Sequence, residues 1–124
     1  MATVTTQSWL SRIGKYHPRL IEAALAMNEN DIPRAEFLLR EHLKQDPFEV
    51  AAIRMFAEVA GRIGRYRDSE TLLRRALELS PGFTAARANL ALVLYRQHHP
   101  GEAIEELDRV LAEEPENPGH SNLK

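Results

Sequence analysis

The chain has 124 residues, which is typical of one domain, and its composition of 44% hydrophobic and 27% charged residues indicates a globular fold. A formal charge of -2 argues against a dedicated nucleic-acid-binding protein, which is usually basic. Because the chain has no cysteine, disulfides, thiolate metal sites and cysteine nucleophiles are excluded.

The N-terminal segment, residues 1–17, has neither the basic start nor the apolar run of a secretory signal, and no stretch of the chain is long and apolar enough to cross a membrane. We therefore expect a cytoplasmic protein without membrane contact. Residues 6–15 predict a short helix with Trp9, Leu10 and Ile13 on one face. This helix would cap the first repeat, or alternatively contact a partner or a second copy.

Three prolines, Pro47, Pro81 and Pro115, are spaced 34 residues apart, and other columns keep the same step. Alanines and small residues recur in two columns and leucines in two more. These columns are Ala23, Ala57 and Ala91; Ala35, Ser69 and Ala103; Leu39, Leu73 and Leu107; and Leu43, Leu77 and Leu111. A fixed period in this range indicates a solenoid built from one repeated supersecondary unit.

Each unit reads as two helices joined by a turn. In the second unit, residues 49–63 and 67–79 have helical apolar spacing, and Gly64 between them is a natural helix stop. Asp31 is placed to cap a helix, with Pro33 in its first turn. The two small columns would let the paired helices approach closely, to about 8–10 Å.

The small residues, the following leucine and the closing proline resemble the tetratricopeptide repeat, whose period is 34 residues. The resemblance implies an all-α solenoid of three antiparallel helix hairpins, residues 18–47, 48–81 and 82–115, preceded by the short N-terminal helix. The chain departs from the pattern at Arg19 and Arg87, in the usual tryptophan column, and at Glu22, in a large apolar column. Terminal repeats are often atypical in this way.

The resemblance also implies a function, because in this family the first helices of successive hairpins line a groove that holds a peptide or helix. We therefore expect a non-catalytic protein-interaction scaffold with a protein or peptide partner. The matching columns give the groove as Leu20, Ala24, Met27, Arg54, Met55, Glu58, Arg62, Asn89, Leu92, Tyr95 and Arg96. Among the positions at which some family members clamp a chaperone's terminal carboxylate, only Asn89 matches, so no such clamp is predicted. Arg54, Arg62 and Arg96 are predicted to hold acidic groups of the partner.

The last helix carries an apolar face, Ile104, Leu107, Val110 and Leu111, that a further hairpin would normally cover. Residues 116–124 read as the start of a truncated fourth repeat or as a tail. A fragment of a longer protein is the favoured interpretation, and homo-oligomer formation through this face is the alternative. Several stretches also resemble the N-terminal repeats of bacterial sulfotransferase-family proteins, which implies a parent enzyme and no activity of this chain.

No constellation of residues predicts catalysis, a cofactor or a metal. The histidines lack the one-turn pairing of a helical zinc site, and His42 with Asp46 reads as a structural pair at a helix end. Residues 50–99 have eight arginines and four acids, whereas residues 100–124 have seven acids against Arg109 and Lys124. This asymmetry indicates either solvated faces or complementary ends that steer a partner.

Overall fold

The computed structural model describes residues 17–113, which form six α-helices and no strand within that range. The helices are α1 (Pro18–Asn28), α2 (Ile32–Gln45), α3 (Val50–Arg62), α4 (Tyr66–Leu79), α5 (Thr84–Arg96) and α6 (Pro100–Glu113). They pair as three antiparallel hairpins, α1–α2, α3–α4 and α5–α6, stacked in chain order. The predicted all-α architecture of three hairpins is therefore confirmed. The predicted helix around Trp9, Leu10 and Ile13 and the tail of residues 116–124 lie outside the described residues.

Local sequence explains where the first two helices begin. The imidazole Nδ1 of His17 accepts a hydrogen bond from the backbone N–H of Arg19 at 3.0 Å, which caps α1 ahead of Pro18. A carboxylate oxygen of Asp31 accepts from the backbone N–H of Arg34 at 3.3 Å, which caps α2 as predicted. Each bond satisfies a backbone donor that the first turn of a helix leaves without a partner.

The turn inside each hairpin uses the same repeat column for a left-handed residue. Asn30, Gly64 and His98 have φ of 60°, 83° and 67°. Glycine adopts this conformation without steric cost and asparagine at low cost, whereas histidine has a Cβ that crowds the backbone. The three hairpins therefore turn in the same way even though their turn sequences differ.

The predicted small columns lie inside the hairpins, where all six side chains are buried. In the second hairpin the Ser69 hydroxyl donates to the backbone carbonyl of Ala57 at 2.7 Å, so α3 and α4 touch at this point. Leu39 and Leu73 are buried in two apolar clusters that run along the stack. Small residues thus bring each pair of helices together, and leucines fill the space between neighbouring hairpins.

The third hairpin replaces apolar packing with an ion pair at one position. Arg87 Nη1 lies 3.0 Å from a carboxylate oxygen of Glu106, and only about a tenth of either side chain is exposed. The second hairpin has Ile53 and Leu72 in the same two columns. Arg87 also donates to the carbonyl of Pro81 at 2.9 Å, so the departure from the repeat pattern is matched by partners on both sides.

Candidate functional site

Helices α1, α3 and α5, the first helices of the three hairpins, lie side by side and form what we call the odd-helix surface. Two hydrogen bonds link neighbouring helices across it. Arg62 on α3 donates to the backbone carbonyl of Met27 on α1 at 2.7 Å, and Arg54 donates to the side-chain carbonyl of Asn89 on α5 at 3.1 Å. The surface is therefore one continuous face of the solenoid.

A row of charged side chains follows α3 along this surface. Glu58 lies one turn from Arg54 and one turn from Arg62, and its carboxylate pairs with both, at 3.5 and 2.8 Å. Residues four apart face each other on a helix, so this spacing produces the row directly. Two positive groups share one carboxylate, which leaves a net positive charge at the centre of the surface.

On α5 the same columns carry a different chemistry. Leu92 and Arg96 stand where α3 has Glu58 and Arg62, and both are exposed, together with the neighbouring Tyr95. Arg96 has no hydrogen bond or ion pair with the described residues. An exposed leucine and tyrosine beside an unpaired arginine is a surface that offers apolar contact and a charged hydrogen-bond donor together.

The amino-acid sequence from residue 64 to residue 124, about half of the chain, matches the tetratricopeptide repeat family. The chain belongs to the tetratricopeptide repeat family. The repeat period predicted this family correctly. No protein of curated function matches the sequence. The resemblance to sulfotransferase-family proteins stays a prediction.

Solved structures of tetratricopeptide repeats share the fold. An O-GlcNAc transferase mutant of Thermobaculum terrenum matches 80% of this chain with 28% identity and a TM-score of 0.76. The first tetratricopeptide domain of Spaghetti (RPAP3), bound to an HSP90 peptide, matches 84% with 19% identity and a TM-score of 0.74. The TPR2B domain of yeast Sti1 in its pHsp70 complex matches 85% with 19% identity and a TM-score of 0.75. The chain spans 19% of the transferase but 85% and 84% of the two domains.

The repeat structure brings most of the predicted groove residues to the odd-helix surface, with two exceptions. Leu20 and Met27 are buried in the apolar cluster that includes Ala52 and Val59, so they are not open to a ligand, and this part of the prediction was wrong. Large apolar side chains on α1 gain more from packing than from facing water. The residues that are exposed or half-buried are Ala24, Arg54, Met55, Glu58, Arg62, Asn89, Leu92, Tyr95 and Arg96.

The apolar face of the last repeat is placed as the sequence suggested. Ile104, Leu107 and Leu111 are exposed and Val110 is half-buried. Leu39 and Leu73 hold the same column as Leu107 and are 0% exposed, whereas Leu107 is 47% exposed. The difference arises because α3 and α5 pack over the first two leucines, while none of the described helices packs over α6 in the same way.

Chemical groups that could hold a metal meet at one place in the described residues, where His42, Asp46 and Glu49 come together. Sequence reasoning paired His42 with Asp46 and missed Glu49, which is seven residues from His42 and on the next helix start. No helix within residues 17–113 combines the length and the apolar character needed to span a bilayer.

Proposed function

We propose that this chain is a non-catalytic binding module that holds an extended peptide or a helix on the odd-helix surface. The observation that carries the proposal is the exposed group of Leu92, Tyr95 and Arg96 at the end of a charged row that the fold itself holds in place. Exposed aromatic and arginine side chains are the residue types that contribute most to protein–protein affinity.

Two of the similar structures support the proposal, because both are complexes of tetratricopeptide domains with chaperone components, one of them a peptide. At 19% identity these likenesses concern the fold, so the ligand of this chain has to be inferred from its own side chains. The matching share of the transferase is a small part of that protein and says nothing about catalysis here.

The ligand that fits this surface has an acidic group next to an apolar side chain. Arg54 and Arg62 already share Glu58, so their charge is partly neutralised, and Arg96 is the arginine best placed to pair with an incoming carboxylate. Leu92 and Tyr95 would cover the ligand's apolar group. The predicted role of the three arginines is therefore unequal, with Arg96 acting directly and Arg54 and Arg62 shaping the surface.

Selection of a random peptide library on the immobilised chain tests the proposal, followed by affinity measurements on the selected peptides with variants. Tyr95→Ala and Arg96→Ala should each weaken binding about tenfold or more. Phe37→Ala is the matched control, because Phe37 on α2 is 63% exposed and Tyr95 is 65% exposed, yet Phe37 lies outside the odd helices. Amide chemical shifts should change on α1, α3 and α5 and remain constant on α2 and α4.

The proposal fails if the selected peptides bind Tyr95→Ala and Arg96→Ala as tightly as the unchanged chain. It also fails if Phe37→Ala loses as much affinity as Tyr95→Ala does. The triple variant Arg54→Ala, Arg62→Ala and Arg96→Ala tests whether arginine charge is used at all, since retained binding in this variant would show that it is not.

Self-association through the outer face of α6 is a second candidate function, favoured by the exposed leucines in a column that is buried elsewhere. Light scattering at several concentrations, on the chain and on Leu107→Glu, tests it. A dimer that is lost in the variant while helicity is retained supports self-association. A chain that stays monomeric up to high concentration rules out self-association.

A further inference from the structure

Three metal-ligating side chains meet where the first hairpin connects to the second. His42 lies in the last turn of α2, Asp46 caps the end of α2, and Glu49 precedes α3. One donor atom from each residue lies within 4.8 Å of the other two. His42 is 3% exposed, and its Nε2 is hydrogen-bonded to the carboxylate of Glu49. The other two side chains reach solvent, so an ion has access from outside.

The cluster departs from the repeat at His42 and Glu49, whereas the column of Asp46 also has an acid, Glu114, in the third unit. The second unit has Ala76, Ser80 and Phe83 in the columns of His42, Asp46 and Glu49, and the third unit has Val110 in the column of His42. A buried imidazole has thus replaced an apolar core residue, and two positions of the loop that follows are carboxylates in the same unit. Core packing alone does not explain a buried imidazole at this position.

A structural hydrogen bond accounts for only part of the arrangement. The contact with Glu49 satisfies Nε2 of His42, but Nδ1 is buried and has no hydrogen-bond partner among the described residues. A second imidazole, that of His17, lies edge-on to His42 with ring centroids 5.0 Å apart. Asp46 has no side-chain partner among the described residues although it lies beside His42. One ring nitrogen of His42 and the carboxylate of Asp46 are therefore without a hydrogen-bond partner among the described residues.

We propose that His42, Asp46 and Glu49 bind a divalent transition-metal ion that links the end of α2 to the start of α3. One imidazole and two carboxylates form a mixed donor set that suits Zn²⁺ and its neighbours, whereas Mg²⁺ and Ca²⁺ prefer oxygen donors alone. Tetrahedral zinc places its donors about 3.4 Å apart, which follows from metal–ligand bonds of about 2.0–2.2 Å. The exposed Asp46 reaches that spacing by rotating towards the imidazole, Glu49 reaches it by moving slightly away from the Nε2 atom to which it is hydrogen-bonded, and water completes the coordination.

Calorimetric titration of the metal-free full chain with ZnCl₂ tests the proposal. One ion per chain should bind, and thermal unfolding should shift upwards with Zn²⁺ and not with Mg²⁺ at the same concentration, since an ion that binds only the folded state stabilises it. Glu49→Gln and Asp46→Ser should each weaken Zn²⁺ binding at least about tenfold. His42→Ala should abolish both the binding and the Zn²⁺-dependent shift. Alanine and serine are the residues that the second unit has in these columns, so both variants preserve the repeat pattern.

Exposed histidines also bind zinc weakly, and the turn pair His98 and His99 provides the matched control. The double variant His98→Asn and His99→Ala should keep the affinity and the thermal shift. A purely structural His42 would change stability equally with and without Zn²⁺, so the Zn²⁺-dependent part of the shift separates the two roles. The proposal is overturned if Zn²⁺ does not bind, if His42→Ala and Glu49→Gln bind it normally, or if the His98 and His99 control loses it.

Discussion

The two contacts between successive hairpins use the same repeat columns, yet their side chains differ. We call the contact between α1–α2 and α3–α4 the first junction, and that between α3–α4 and α5–α6 the second junction. At the second junction, Gln97 donates to one oxygen of Glu70 at 2.7 Å and Arg74 to the other at 2.8 Å. Arg74 also reaches Glu102 at 3.8 Å. These four side chains form a polar seal.

At the first junction the equivalent seal is absent from the described contacts, although two of its columns are unchanged. Glu36 and Arg40 stand where Glu70 and Arg74 do and pair with each other at 3.1 Å. Ile63 replaces Gln97, so no amide bridges the two hairpins. An open cleft of about 330 Å³ remains, lined by Glu36, Arg40, Phe56, Ala60, Ile63, Arg65, Asp68, Thr71 and Leu72.

The residues in the repeat columns determine which helices pack together, but they do not determine which side chains interact at each junction. Isoleucine in place of glutamine is one of several differences between the open cleft and the sealed junction, and Ala60 in place of Leu94 is another. The two junctions also differ at the loops that connect one hairpin to the next. The first junction has His42 and Glu49 there, whereas the second has Ala76 and Phe83 in the same columns. Single side chains outside the repeat pattern thus give each junction its own chemistry.

Core truncation at the two junctions should give the largest effect and should be unequal. Leu90 is 2% exposed at the second junction, so Leu90→Ala should lower the free energy of unfolding by about 2–5 kcal/mol. Phe56 holds the same column at the first junction but lines the cleft, so Phe56→Ala should cost less than Leu90→Ala despite the larger side chain. Urea denaturation followed by circular dichroism measures both. A greater loss for Phe56→Ala would show that the cleft is closed in solution.

The sequence predicted the parts of the fold that depend on the repeat, and it failed where side chains choose partners across helices. Period, helix spans, the Asp31 cap and the Gly64 turn follow from local pattern and were predicted within a residue or two. The Arg62–Met27 and Gln97–Glu70 contacts join residues 35 and 27 positions apart. No spacing rule for one helix reports such contacts, because they depend on how neighbouring hairpins stack.

Opening the second junction should give the next largest effect. Gln97→Ile copies the first junction and removes the amide donor from Glu70, so we expect a loss of about 1–3 kcal/mol in the free energy of unfolding. Gln45→Ile is the control, because Gln45 accepts from Arg19 at 3.3 Å on an exposed surface and should change stability by less than about 0.5 kcal/mol. Equal losses in the two variants would mean that Gln97 does not act as a seal.

Acid should weaken the second junction through Glu70. Burial by itself raises the pKa of Glu70, but hydrogen bonds from Gln97 and Arg74 and the charge of Arg74 outweigh it, so its pKa lies below the ordinary value of 4.5. A lowered folded-state pKa stabilises the fold above the unfolded pKa, and this contribution is lost as pH falls through the folded value. The stability difference between the chain and Glu70→Gln should therefore be present at pH 5 and shrink below about pH 4. A difference that is unchanged at pH 3 would contradict this.

Closing the first junction should give the smallest effect and is the most direct check of the comparison. Ile63 is 45% exposed, so replacing it with glutamine sacrifices little apolar burial. In Ile63→Gln the new amide stands where Gln97 stands relative to Glu70, and it should donate to Glu36 across the cleft. We expect a gain of about 0.5–1 kcal/mol, close to the net value of one hydrogen bond. The double variant with Glu36→Ala removes the acceptor and should cancel the gain, whereas a gain that persists would come from reduced apolar exposure. Urea denaturation of the single and the double variant distinguishes these two causes. If the gain is lost in the double variant, the bridging amide accounts for the difference between the two junctions.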